Sequence, residues 1–443
     1  MNRPRVAFGV ALALLIVLSS CQIDRSGDPI LYMSEEVYLY EETAATDPLG
    51  SEVTRQVAAG RRKVTDFQYQ LTRIAQVVPV EVQGVNVQAN DLLLVGDSLY
   101  VSYNSAGAEF AGALQVIDVT SPRTPRLVVE IGLPDADINA VAVDGSAIYI
   151  AGAWDPDATT FPEFDPVEND RAFVVRIESS ELASITPDQI ADRKVVLPSY
   201  AATGIAIANG IVYVSTGALD GELALLNADL TSITIATPDK RGDFRDIEVF
   251  GGGAVALQGT DNSGLVTGRV VTIQEDGSQR DTLEIEDFGS PEAKATIEVY
   301  DRRYGFLGLS EAGFQIVYLR DDSTPGAPVQ SIFTIANPTV EWSQLTSTNS
   351  ASYSDDMIFT ANGEAGFRAF LVTGRLQRDN PPGDGFTTLI GFVPFDRTGP
   401  DANGHYWSAN QVEYRSVRGK GAVGLLAVAC GVGGVNLYLL TEK

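Results

Sequence analysis

The chain has 443 residues, 44% of them hydrophobic, with 58 acidic against 31 basic side chains and a formal charge of −27. That sign repels phosphate backbones, so nucleic acid is excluded as a partner. A single histidine rules out a histidine-rich metal site, and the two cysteines, Cys21 just after an N-terminal apolar run and Cys430 near the other end, supply no disulfide framework. Stability must come from a conventional core, and Cys430, in the apolar stretch AVACGVGG, is expected as a small core residue. Arginine outnumbers lysine 25 to 6, and an acidic, lysine-poor surface suits a protein facing salt.

At the start, Arg3 and Arg5 precede the apolar run Val6–Leu18, which gives way to Ser19, Ser20 and Cys21. A core of roughly a dozen apolar residues behind a basic end reads as a secretory signal, since a spanning helix needs about 20. LSSC resembles a lipobox, the bacterial lipoprotein cleavage site. That resemblance implies removal of residues 1–20 and lipidation of Cys21, which becomes the membrane anchor. Gln22, where an inner-membrane retention signal would place Asp, favours the outer membrane or cell surface. Residues 21–66 lack periodicity and read as a tether, and about 45 residues of flexible coil span roughly 35–40 Å. Within it, YMSEEVYLYEE (Tyr32–Glu42) reads as either a helix or a strand.

Residues 67–443 have a different character. Short β-rich runs alternate with Gly, Asn and Asp turns in a recurring unit. Its first half is clearest in DLLLVGDSLYVSY (Asp91–Tyr103), AVAVDGSAIYIAG (Ala140–Gly152) and GIAIANGIVYVSTG (Gly204–Gly217). Divergent copies begin at Asp246, Thr296, Ser350 and Val412. Each is followed by a third strand (ALQVIDV, FVVRI, LALLNA, RVVTIQ, FQIVYL, FRAFLV, VNLYLL), and all but the last by a fourth. The pattern predicts an all-β fold: a seven-bladed β-propeller of four-stranded antiparallel blades. The seventh unit lacks its fourth strand, and QLTRIAQVVPVEV (Gln70–Val82) is an orphan strand upstream of the first. The last blade is therefore expected to be closed by this N-terminal strand, leaving no open edge.

LQVIDVTSPRTPRLV, in the first repeat, resembles the consensus of the LVIVD-repeat proteins, β-propeller and often lipid-anchored bacterial surface proteins. GALQVIDV recurs only as AGFQIVYL, AGFRAFLV and GGVNLYLL. The resemblance implies fold and address. Its residues are strand and turn residues, so it carries no catalytic assignment. A repeated WD dipeptide, a kelch glycine pair and a Gly-Trp quinoprotein motif are all missing from the sequence.

Candidate chemistry is sparse. His405, in GPDANGHYWSAN, has no GxSxG nucleophile turn to serve and reads as a loop histidine. A carboxylate pair cannot be chosen among 58 acids without geometry. The insertion WDPDATTFPEFDPVENDR (Trp154–Arg171) offers Asp155, Asp157, Asp165 and Asp170 as calcium ligands, against a solvated loop stiffened by Pro156, Pro162 and Pro166. Loops joining second to third strands emerge on the same face of a propeller as loops joining one blade to the next. Trp154, Trp342 and Trp407 all fall in those loops, with Tyr103, Phe110, Phe161, Phe164, His405 and Tyr406 near them, and form a candidate binding face. The alternative is that they plug gaps between blades. The expected function is a non-enzymatic, monomeric binding scaffold on a lipid anchor, with an unnamed protein or carbohydrate partner and no cofactor unless calcium. The alternatives are a carbohydrate-active or hydrolytic propeller using a carboxylate pair near the central channel, and a structural envelope component.

Overall fold

The computed structural model describes residues 29–37 and 68–443, apart from residues 106–109, 156–169, 218–220, 237–241, 260–266, 287, 289–293, 302, 320–329, 338–345, 373–386, 396–406 and 420–421. Two strands come first, β1 (Ile30–Val37) and β2 (Tyr69–Val77), then a hairpin of β3 (Glu81–Val82) and β4 (Val85–Asn86). Blade 1 is β5 (Gln88–Val95), β6 (Ser98–Asn104), β7 (Gly112–Asp118) and β8 (Arg126–Leu133). Blade 2 is β9 (Ala136–Asp144), β10 (Ala147–Trp154), β11 (Ala172–Glu178) and, after the short helix α1 (Pro187–Asp192), β12 (Val195–Leu197). Blade 3 is β13 (Ala201–Ala208), β14 (Ile211–Gly217), β15 (Leu223–Asn227) and β16 (Ile233–Ala236). Blade 4 is β17 (Phe244–Phe250), β18 (Gly253–Gln258), β19 (Thr267–Gln274) and β20 (Gln279–Glu286). Blade 5 is β21 (Thr296–Tyr300), β22 (Tyr304–Gly308), β23 (Phe314–Tyr318) and β24 (Gln330–Ile335). Blade 6 is β25 (Ser350–Ser354), β26 (Met357–Ala361), β27 (Phe367–Val372) and β28 (Thr387–Val393). Blade 7 is β29 (Gln411–Gly419), β30 (Ala422–Ala429) and β31 (Val435–Glu442), completed by β2 and then β1.

The first strands pack side by side around a complete ring, β5 against β9 and so on to β29 against β5, and so line a central channel. Second strands are buried on both faces, as in β10, while fourth strands such as β8 alternate with solvent. Among the described residues the hydrophobic core divides into seven clusters, one at each blade-to-blade interface. Cohesion is thus distributed around the ring, and each blade contributes to two clusters.

The closing strand pairs with β31 from Tyr69↔Glu442 to Val77↔Val435. It stops earlier than the sequence suggests: Val78, Pro79 and Val80 separate it from the β3–β4 hairpin, which turns through Gln83 (φ 49) and Gly84 (φ 88). The segment read as a tether contains β1, so the strand option holds within Tyr32–Glu42, and Ile30–Val37 adds a fifth strand to blade 7. Cys21 and residues 38–66 lie outside the described residues.

Blades 5, 6 and 7 turn tightly between their second and third strands. In each, the turn bridges to the chain entering the next blade: Ser310↔Thr348, Gly363↔Ala409 and Gly431↔Ala89. These bridges place the two loop classes on one face, as propeller topology requires. Gly434, which leads β31, has φ +73, and a Cβ there would lie 2.1 Å from the Val77 carbonyl oxygen, so only glycine fits. The leading glycine of the repeat is therefore a packing requirement.

Candidate functional site

Innermost strands have one edge without a strand partner, and something must satisfy those backbone groups. One rank of side chains does it near the loop-bearing face by donating to carbonyls of the next blade. Asn90 Nδ2 donates to Asn139 O (3.1 Å), Asn139 Nδ2 to Ala202 O (2.9 Å) and Thr203 Oγ1 to Phe244 O (2.8 Å). Thr296 Oγ1 donates to Asn349 O (2.9 Å), Asn349 Nδ2 to Ala409 O (2.9 Å) and Asn410 Nδ2 to Ala89 O (3.0 Å). Among the described residues, six of the seven junctions are clasped in this way. At blades 1 to 4 the strand bulges at Asn90, Asn139, Thr203 and Arg245, which turns these residues toward their neighbours. Arg245, at the seventh junction, pairs instead with Asp243 at 2.8 Å.

Deeper in, the inner strands carry two tiers of acceptors for the next blade's N–H groups. In the upper tier Asp91 accepts from Val141 N–H, Asp246 Oδ2 from Ile297 N–H (2.9 Å) and Ser350 Oγ from Val412 N–H (3.0 Å). In the lower tier, two residues further along, Glu298 accepts from Tyr353 N–H and Ser352 Oγ from Tyr414 N–H (3.0 Å). Lys294 enters the upper tier from blade 5 and crosses to blade 1, its Nζ donating to Asn90 O at 2.5 Å, with the Asp91 and Asp246 carboxylates as its counter-charges.

Glu413 departs from the pattern. It occupies the lower tier in blade 7, equivalent to Glu248 and Glu298 in blades 4 and 5, and among the described residues no hydrogen bond or ion pair reaches it. Among the described residues Glu248 receives only its neighbour Val249 N–H, at 3.3 Å. Glu298 Oε2 and Gln411 Oε1 are buried acceptors without a donor. Glu413 keeps some surface toward the channel, so area alone makes it half-buried, yet protein encloses it on all sides. The enclosure governs its charge, because the energy of an ion depends on polarisable surroundings well beyond first contact.

The electrostatics follow. Burial raises every channel carboxyl: Asp246 to about 7, with repulsion from Asp91 adding to it, and Glu248 and Glu413 well above the ordinary range. Burial also raises Glu298 and Asp91, the latter opposed by Lys294, and it lowers Lys294. Near the channel mouth, Asp137 Oδ1 accepts from Ser105 N–H (2.8 Å) and Ala111 N–H (3.3 Å), and burial lifts it to about 6.

Of the residues expected on an aromatic face, the described ones do not all reach the surface. Trp154 is 1% exposed, packed between blades 1 and 2 with Lys194 Nζ 3.7 Å above its ring. Tyr103 is fully buried and donates to Gln115 Oε1 at 2.5 Å. Both plug blade interfaces, because at the end of a second strand the side chain points between sheets. Trp407 is half-buried, edge-on to Phe395 at 6.1 Å and lying over Gly433. Phe110 is half-buried, with the Arg171 guanidinium between it and Tyr200 at 5.5 and 5.2 Å. Trp342, His405, Tyr406, Phe161, Phe164, Asp157 and Asp165 lie outside the described residues. Asp155 and Asp170 flank the blade 2 insertion, and among the described residues no group of three or more His, Cys, Asp or Glu side chains is arranged to hold a metal ion. A groove of about 650 Å³ lies at the hairpin end of blade 4 and includes Gln274, Asp276 and Arg280, and its Gln274 and Asp276 are engaged with Ser278.

The channel acids were missed at the level of sequence, although a signal was there. DIEV (246–249), TIEV (296–299) and QVEY (411–414) place an acid between apolar residues at one repeat position.

No protein-family model matches the chain, and no curated protein does. Solved structures match. The β-propeller domain of Cps50 (Swd1) from Myceliophteria thermophila aligns over 82% of this chain and 99% of its own, at 10% identity and a TM-score of 0.52. A chain of a mitotic checkpoint complex aligns over 83% of this chain and 96% of its own, at 9% identity and a TM-score of 0.50. At such identities the likeness shows the fold alone: a seven-bladed β-propeller.

Proposed function

We propose that the protein is a lipid-anchored lipoprotein of the bacterial outer envelope whose propeller is a non-catalytic binding scaffold. The lower tier carries the reading. Acceptors without donors, held at the centre of a ring whose blades are clasped to one another, form a preorganised receiver for a donor-bearing ligand. Buried polar groups are expensive to leave unmatched, so a position that keeps them is more economically explained by a ligand than by stability. The address rests on the LSSC segment and on the LVIVD-like first repeat.

A hydrolytic reading has one observation in its favour: Glu298 lies close enough to Glu413 for its charge to raise that carboxyl beyond the effect of burial, as in acid–base pairs. Two measurements separate these readings. Full-length protein expressed in a bacterial host should fractionate with the outer membrane and carry an acyl mass on Cys21, while Cys21→Ser should become soluble. Wild type lacking the acyl mass, or a membrane-bound Cys21→Ser variant, would remove the anchor. Turnover of aryl glycosides that is abolished by Glu413→Gln would replace the scaffold with an enzyme.

A further inference from the structure

Resting on the scaffold reading, we propose that the lower tier of the channel binds a linear organic polyamine, its ammonium groups distributed among Glu248, Glu298 and Glu413. In this tier Glu298 Oε2 is a buried atom without a donor, and among the described residues no hydrogen bond or ion pair reaches the Glu413 carboxyl. The ligand must therefore be a donor, and beside three glutamates it must be cationic. The glutamates come from blades 4, 5 and 7, on strands spread around the ring, and no three carboxylates among the described residues converge on one point. A bare divalent ion would need that convergence, with oxygen ligands at about 2.3–2.6 Å for calcium. Several ammonium groups on a flexible chain do not.

The fold supplies its own precedent one tier above. Lys294 brings an alkylammonium into the channel, seats it on a backbone carbonyl and lays it beside Asp91 and Asp246. The lower tier repeats the carboxylates and lacks the cation. The equivalent positions in blades 2 and 3 are Ala142 and Ala206, packed in the apolar clusters between blades, so they add no charge to the tier. The charged groups facing the site are Asp91, Asp246, Glu248, Lys294, Glu298 and Glu413. Because burial favours the neutral form of these acids, an arriving polyamine should expel protons from them as it binds.

The test is calorimetry on full-length protein in a non-ionic detergent, titrating spermidine at pH 7 in two buffers of different ionisation enthalpy. One spermidine per chain is expected, with an apparent heat that differs between buffers in the sense of proton release. Glu413→Gln should weaken binding at least tenfold while keeping the fold, since it preserves the shape of a side chain that burial already holds neutral and removes only its capacity to ionise when the ligand arrives. Asp97→Asn, at an exposed acid, should leave binding unchanged. Equal affinity in wild type and Glu413→Gln would overturn the proposal, as would folded wild type that binds no spermidine at millimolar concentration. A calcium ion bound with Glu413 dependence in the absence of any spermidine binding would also overturn it. Failure here leaves Cys21 lipidation and fractionation untouched, so the two readings fail separately.

Discussion

Trp154 closes the interface between blades 1 and 2, with Leu133, Ile190 and Phe173 around its ring and the Lys194 ammonium above it. Trp154→Ala should therefore cost about 3–5 kcal/mol, read as a lowered denaturation midpoint, because the vacated space cannot collapse onto three separate elements. A loss below about 1 kcal/mol would mean that the ring is solvated in solution. Loop class alone could place this residue near a face but could not say which way it points. A second strand is buried on both sides, and that gradient from channel to rim is a property of the assembled ring. Cys430 is a clearer case: its apolar neighbours gave it away, it is buried, and burial pushes its thiol up to about 12. Glu413 was legible only by comparing repeats, since a lone acid in a strand ordinarily means a solvated side.

At the level of elements, β2 and β1 have unequal duties. Only Ile30 of β1 is well buried, and its side chains are tied by Glu35 to Arg73 and by Tyr32 Oη, which donates to Pro125 O at 2.8 Å. A chain starting at residue 67 should therefore remain soluble and melt cooperatively within a few degrees of the parent. Removing Tyr69–Val77 as well should bare the β31 edge and strip Leu71, Ile74, Ala75 and Val77 from two interface clusters, giving aggregates on size exclusion. If that second truncation stays monomeric and cooperative, blade 7 does not need its borrowed strand. The missing fourth strand was legible because repeat counting exposes a vacancy. The helix α1 was overlooked, although TPDQ spells its start: Thr186 caps Gln189 N–H, Gln189 caps Thr186 N–H, and Pro187 opens the first turn. A six-residue helix between strands is too short for periodicity to register.

For the whole molecule, the channel sets how stability varies with pH. Asp137 and Asp246 are raised to about 6 and about 7, and Glu248, Glu298 and Glu413 are raised further by burial. Between about pH 4 and pH 7 the folded protein thus holds protons that the unfolded chain has released, so stability falls as pH rises through that window. Lys294, lowered by burial, works in the opposite sense, contributing stability that grows as pH rises toward the ordinary lysine range. The melting temperature should be higher at pH 5 than at pH 7.5 at fixed salt, and Glu248→Gln/Glu413→Gln should flatten the difference. A variant profile as steep as the parent's would assign the slope to the surface charge of −27 instead.

The register of β2 on β31 also has a consequence in time. Val77 meets Val435, so a strand made before blades 1 to 6 pairs with one made after them. Closing so long a loop is entropically slow, and β2 must wait through synthesis with its backbone edge unclaimed. Thr72, Arg73 and Gln76 interrupt its apolar run, which makes the waiting strand a poor template for another copy. Once it docks, the two ends of the chain lock one another. A nascent chain halted before residue 435 should therefore behave as an open, sticky arc, however many blades it already holds.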